Sequence, residues 1–225
     1  MATSDRGIVI LDVDGTLVDT NYHHALCWFR AFRRYDVTVP LWRIHAGIGM
    51  GGDQIVGSVA GDDVEKQHGD DLRSAWGEEF EPMLAEIQAF EGASELLQAI
   101  KDEGFGLVMA SSGQSHHVER YAELIGAGDI ADAWVSSADV EKTKPEPDLL
   151  GVAMETVGAT KAVLVGDSVW DCRAAASLGI PSVGVQSGGF SVGALREAGA
   201  VSVYESVRAL LDEVSSLAPT APTSS

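Results

Sequence analysis

The sequence predicts an α/β fold, a parallel sheet with helices and a helical unit inserted near its start. Three observations carry that expectation. The run Ile8-Val9-Ile10-Leu11 is apolar at every position, as in a strand buried on both faces. From Ala93 onward, short apolar runs alternate with helical stretches, the sequence form of βαβ units. Between residues 20 and 89 the periodicity is helical and strand signals are few.

Taken in order, Ala25, Trp28, Phe29 and Phe32 recur at helical spacing and predict a helix over 21–35, with Thr20 or Asn21 as its N-cap. The aromatic residues on that face read as the insertion's own core rather than as a substrate box. Short helices are expected at 41–46 and 53–59, around the glycine-rich turn 47–52, and a long polar helix from 63 to 88. Glu91-Gly92 closes the unit. There follow a helix at 93–103, a strand at 105–110, a helix near 115–125, a short strand at 133–135 and an irregular loop to 147. A helix at 148–157, strands at 162–165, 182–185 and 201–204, and helices at 170–178 and 207–214 complete the pattern. Residues 217–225, rich in Pro, Ser, Thr and Ala, are expected to fray. The core is therefore assigned to 1–19 and 90–216, and a helical cap to 20–89.

A chain of 225 residues, 45% hydrophobic, buries a full core with room for one insertion. Its net charge of −19 would repel a polyanion, which argues against nucleic acid as a partner. Cys27 and Cys172 stand far apart and outside any CxxC or Cys/His metal spacing, so both read as reduced thiols. Residues 1–7 are polar and too short for a signal peptide, and no apolar run spans a membrane. A cytoplasmic protein is expected.

Polar clusters fall where these strands end. Asp12-Val13-Asp14-Gly15-Thr16 follows the first strand, where α/β sheets bind ligands, and Gly15 lets the backbone approach an anion. Ser111-Ser112-Gly113 follows the second, with hydroxyls and amides suited to phosphate oxygens or to an ordinary helix cap. Lys144 precedes two prolines that stiffen its loop. Asp167 and Asp171 flank a further strand-to-helix turn. Each cluster alone reads equally as a turn, cap or solvated charge. If the strands are neighbours, all face one crevice, where several carboxylates are costly unless a cation joins them. Hard oxygen donors point to Mg²⁺, and a phosphate group held by Lys144 and the Ser111 turn completes the charge balance, leaving one aspartate free to attack.

Asp12-x-Asp14-Gly15-Thr16, Ser111, Lys144 and Gly166-Asp167-Ser168-x-x-Asp171 together resemble the four ordered motifs of the haloacid dehalogenase superfamily of phosphohydrolases. Placement of the insertion further resembles the phosphoglycolate-phosphatase and β-phosphoglucomutase-like branch. The resemblance implies a Rossmann-like core with an inserted α-helical cap, and an Mg²⁺-dependent phosphatase acting on a small phosphorylated metabolite. It makes Asp12 the nucleophile and Asp14 the acid and base. Mg²⁺ would be held by the Asp12 carboxylate, the Asp14 carbonyl and Asp167, with Asp171 orienting ligands from behind. Ser111 and Lys144, with amides near Gly15 and Ser112, would bind the phosphoryl group.

Among relatives of that kind, Asp14 argues against a dehalogenase, which needs no acid there. Lys66 is the only lysine of the insertion and lies in a polar helix, which disfavours a Schiff-base phosphonate hydrolase. A β-phosphoglucomutase-like activity stays open, because His24-x-x-x-Trp28 resembles that branch, although the 47–52 turn offers no basic grip for a second phosphate. A non-catalytic phospho-ligand-binding protein is the alternative of another class. His24, Arg43 and His45 are the candidates for reading the substrate from the cap. A mobile cap would hinge near 18–20 and 89–92. His116 and His117 lack a third ligand, so no transition-metal site follows from them. The motifs read only the phosphoryl group and define neither the alcohol nor the oligomeric state.

Overall fold

The computed structural model describes residues 6–113, 115–140 and 143–223; the expectation for the extreme N-terminus lies largely outside them. β1 (Ile8–Asp12) is buried along its whole length, between β2 (Gly106–Ala110) and β4 (Ala162–Gly166), with β3 (Ala133–Val135) beyond β2. β5 (Ser182–Val185) and β6 (Ala200–Tyr204) extend the other side, and the order is β3-β2-β1-β4-β5-β6. All pairings are parallel. The chain's direction of sheet growth reverses between β1 and β4, which opens a crevice at their carboxyl ends.

Alternation along β1 divides the core into two layers. Val9 and Leu11 pack with Leu96, Leu97 and Ile100 of α5 (Ala93–Asp102) and with Tyr121 of α6 (Ser115–Ile125). Ile8 and Ile10 face the other way, onto Leu149 and Leu150 of α7 (Asp148–Val157) and Ala174 of α8 (Val169–Leu178). This is why no polar residue appears between Ile8 and Leu11.

The insertion contributes α1 (Asn21–Arg34), α2 (Leu41–Gly47), α3 (Gly52–Ala60) and α4 (Asp62–Phe80). They enclose their own apolar cluster, with Trp28, Phe32, Ile44, Ile55 and Leu72 buried. Helix α4 stops at Phe80 and continues only as a 3₁₀ turn, Glu81–Ala85, instead of running to 88 as periodicity predicted. Pro82 has no N–H to continue the α-helical ladder. Both linkers of the insertion run side by side: the Asp19 amide donates to the Gln88 carbonyl and the Phe90 amide to that of Leu17, each at 2.9 Å.

Two further differences have local causes. A short helix α9 (Val192–Glu197), capped by the Ser191 hydroxyl, lies between β5 and β6 where none was expected; six residues are too few to show a period. α10 (Val207–Leu211) is shorter than predicted. The end of the chain is packed, not frayed, over its described part: Leu217 joins the core and Thr220 exchanges two backbone hydrogen bonds with Ala162 at the start of β4. Cys27 and Cys172 are free and buried. Among the described residues no helix is long and apolar enough to cross a membrane. The tail gives a direct check: Leu217→Ala should cost about 2 kcal/mol or more of unfolding free energy in a denaturant titration, whereas a frayed residue would cost nothing.

Candidate active site

The turn after β1 is drawn tight by Val13, whose carbonyl accepts from the amides of Thr16, Leu17 and Val18. Gly15 closes it at φ +76°, and a Cβ there would run into the Asn21 side chain. The turn sets Thr16 Oγ1 3.1 Å from Asp12 Oδ2 and 2.9 Å from Asp167 Oδ1. One hydroxyl proton cannot serve both carboxylates at once.

Lys144, 1% exposed, wedges between Asp12 and Asp171. Its ammonium pairs with Asp12 Oδ1 and lies 2.7 Å from Asp171 Oδ1. The other Asp171 oxygen is fixed by the start of α8, accepting from the Ser168 amide at 3.0 Å and hydroxyl at 2.6 Å in a capping box. Asp167 Oδ2 accepts at 2.7 Å from Asn21 Nδ2, which also donates to the Gly188 carbonyl.

Oxygens of Asp12, Asp167 and Asp171 all lie within 4.8 Å of one another, and all three residues are buried. Burial and the charge of Asp171 push Asp12 up to about 7 despite the opposing effect of Lys144. Burial, with Asp12 and Asp171 beside it, holds Asp167 well above the usual carboxylate range. Burial opposes the charge of Lys144, yet Asp12 and Asp171 outweigh it and hold the ammonium above its ordinary range. Three buried carboxylates against one ammonium leave a surplus of negative charge on oxygen donors, a set that fits a hard divalent cation.

Asp14 is surrounded differently. Its Oδ1 accepts from the Thr20 hydroxyl at 3.1 Å and lies 3.0 Å from His24 Nε2, while Oδ2 accepts from the Ser111 hydroxyl at 2.8 Å. Burial raises its pKa, but the His24 contact, with Ser111 and Thr20, overcomes that and brings it to about 2. Ser111 Oγ also accepts from the Gly113 amide, so it positions Asp14 and the turn. The buried Ser112 hydroxyl has no partner among the described residues.

Over these groups lies a cavity of about 300 Å³. Asp12, Asp14, Ser112 and Lys144 form its floor; His24, Trp28, Asp53, Arg73 and Trp76 close it from the insertion. Asp167 and Asp171 sit beneath the floor and Ser111 behind Asp14, outside the lining. His24 lines the cavity, stacked on Phe80 at 4.2 Å. Arg43 and His45 do not line the cavity: Arg43 is exposed, and His45 stacks between Tyr22 and Phe190 with its Nε2 3.0 Å from the Gly188 carbonyl. Proximity to the 47–52 turn misled here, because α2 directs its 45-side residue onto the loop after β5.

Sequence reasoning missed Asn21, Asp53 and Arg73. Asp53 accepts from the Thr143 amide at 3.2 Å and from its hydroxyl, which joins the insertion to the residue before Lys144. Arg73 is held by Glu65 and Asp70 and donates to the Gly52 carbonyl. Only Asn21 carried a signal, its place directly after Thr20 at the helix start.

A family model described as haloacid dehalogenase-like hydrolase matches residues 9–185. The chain belongs to that family. It is 24% identical over 192 residues to the validoxylamine A 7'-phosphate phosphatase of Streptomyces hygroscopicus subsp. limoneus, covering 79% of this chain and 84% of the relative. It is 27% identical over 192 residues to the pyrophosphatase PpaX of Bacillus velezensis, with 79% and 82% covered. A hydrolase from Pseudomonas syringae superposes with a TM-score of 0.88 at 30% identity, over 94% of this chain and 99% of that one. If the aspartate cluster holds a divalent cation, Asn21→Ala should weaken its binding by about tenfold, as loss of an outer partner of a metal ligand does. Calorimetric titration of Mg²⁺ provides the measure, and unchanged affinity would detach Asn21 from the centre.

Proposed function

We propose that this hydrolase is an Mg²⁺-dependent phosphatase of a small phosphate monoester, working through an aspartyl-phosphate on Asp12. The observation that carries the reading is the division of labour on the cavity floor. Asp12 is oriented by Lys144 and Thr16 over an oxygen-donor cluster, while Asp14 is oriented separately by His24, Ser111 and Thr20.

Asp12, Asp167 and the Asp14 carbonyl would hold Mg²⁺, with Asp171 behind them. The ion supplies charge neutralisation for phosphoryl oxygens. Asp12 attacks phosphorus in line, the phosphorus–oxygen bond to the alcohol breaks, and Asp14 hands its proton to the departing oxygen. In the second step Asp14 takes a proton from water, whose oxygen attacks phosphorus and frees Asp12 and phosphate. With a pKa near 2 before substrate enters, Asp14 is ionised and only weakly basic; an anionic phosphoryl group beside it raises that value, which strengthens it as a base and favours the protonated form that the first step needs. Lys144, the Ser112 hydroxyl, unpartnered among the described residues, and amides of the Gly15 turn bind phosphoryl oxygens.

The cavity walls favour a neutral, hydroxyl-bearing alcohol of the sugar-phosphate type. Trp28 and Trp76 offer apolar faces, and the buried Trp76 Nε1 has no acceptor among the described residues. Asp53 would repel a second phosphate, and Arg73, the basic residue of this wall, is already paired with Glu65 and Asp70. Both features rank the phosphatase above the mutase. The insertion serves as a lid that hinges on the paired linkers at 17–19 and 88–90, excluding water when closed.

With Mg²⁺ present, the chain should release phosphate from sugar phosphates and from an activated aryl phosphate. Asp12→Asn should abolish release, and Asp14→Asn should slow it by about 10²-fold or more. Wild-type turnover by Asp12→Asn would remove Asp12 as nucleophile, and silence across the panel would favour a binding protein. Conversion of β-glucose 1-phosphate to glucose 6-phosphate, with a bisphosphate activator and faster than hydrolysis, would select the mutase.

A further inference from the structure

Away from the cavity floor, the described residues hold one other cluster of metal-ligating side chains, Glu81, His116 and His117. In sequence the two histidines lacked a third ligand; the fold brings one from 35 residues away. Glu81 Oε2 lies 3.3 Å from His116 Nε2 and 3.5 Å from His117 Nε2, and the three ligand atoms are all within 4.8 Å of one another. A tetrahedral Zn²⁺ with bonds of 2.0–2.1 Å separates its ligands by about 3.3–3.4 Å. The His116–Glu81 separation, a hydrogen bond in this structure, therefore already has the span of two ligands on one ion, and the His117–Glu81 separation of 3.5 Å is close to it.

The surroundings suit a ligand set. The His117 side chain is 3% exposed and held edge-on by Phe80 at 5.0 Å, while His116 and Glu81 are 54% and 61% exposed. That leaves a rigid inner ligand, two outer ones, and an open side for entry and for a fourth, solvent ligand. Two imidazoles and one carboxylate select a borderline transition ion over Mg²⁺.

We infer that Glu81, His116 and His117 form a second metal site, for Zn²⁺ or an ion of the same class, that straps the helical insertion to the sheet domain. Glu81 is the first residue after α4, on the insertion side of the linkers; His116 and His117 occupy the first turn of α6, just past the Ser111–Gly113 turn. Phe80, next to Glu81, stacks on the His24 that contacts Asp14. An ion bound across this seam would hold the lid closed over the floor. Binding stands independently of the phosphatase reading; its effect on turnover rests on that reading.

The test is calorimetric titration of Zn²⁺ into the full chain in excess Mg²⁺, with thermal unfolding alongside. One Zn²⁺ per chain should bind, and Tm should rise. His116→Ala and Glu81→Gln, both at exposed positions, should each lose more affinity than the roughly tenfold that an outer partner costs and lose the Tm rise. Asp167→Asn should keep the Zn²⁺ event. Absence of Zn²⁺ binding, or binding that survives His116→Ala and vanishes in Asp167→Asn, would overturn the site. For the strap, Zn²⁺ should slow phosphate release by the wild type more than by His116→Ala, whose release in Mg²⁺ alone is unchanged. Equal inhibition of both would assign the effect to the aspartate cluster and overturn the strap. If no phosphate is released by any form, the proposed phosphatase activity fails while the titration still decides the site.

Discussion

The structure depends on one buried electrostatic arrangement, the Lys144 ammonium set among the carboxylates of Asp12, Asp171 and, nearby, Asp167. Taking such charges out of water costs several kcal/mol per ion on the order of magnitude known for proteins, and ion pairing alone offsets that only with good geometry. Geometry here comes from the sheet. Because β1 lies directly beside β4, Asp12 and Asp167 emerge at neighbouring strand ends, and the first turn of α8 brings Asp171 under Lys144. The remaining oxygens are assigned to Thr16, Asn21 and Ser168, each from a different turn. The cluster remains over-supplied with negative charge, which a divalent cation would offset before an anionic substrate could approach.

The helical insertion is part of this centre rather than a cover laid over it. Its first helix begins at Asn21, which holds Asp167, and one turn later presents His24 to Asp14. From its other helices come Asp53, which binds the loop at Thr143, and Phe80, on which His24 rests. The packing of the insertion and the orientation of Asp14 and Asp167 are thus expressions of the same contacts. If the insertion moves as the proposed lid, these contacts form only when it is shut, the condition under which water is excluded.

How much was legible follows from the range of each signal. β1 and β4 were readable because burial on both faces leaves no polar position, and the cluster residues Asp12, Asp14, Lys144 and Asp167 were readable as ordered motifs at strand ends. Pro82 interrupts a polar helix whose periodicity runs on past it, and α9 is too short to show a period. Arg43 and His45 lie near a glycine-rich turn in sequence, but the direction of α2 carries them away from the cavity. Arg73 and Asp53 looked like ordinary charges on a polar surface, since nothing local distinguishes a residue that faces a cavity from one that faces solvent.

By itself, then, the sequence determined where the strands end and which polar motifs follow them in order, because strand burial and turn formation are local and leave a pattern within a few residues. Only the tertiary structure decided which charges meet. It showed that Lys144 serves Asp171 as well as Asp12, that Ser111 addresses Asp14, that α1 reaches into the centre, and that Glu81 completes the pair of histidines. Distances of a few ångströms between residues far apart in the chain govern these electrostatic contacts, and such distances are set by the packing of whole layers.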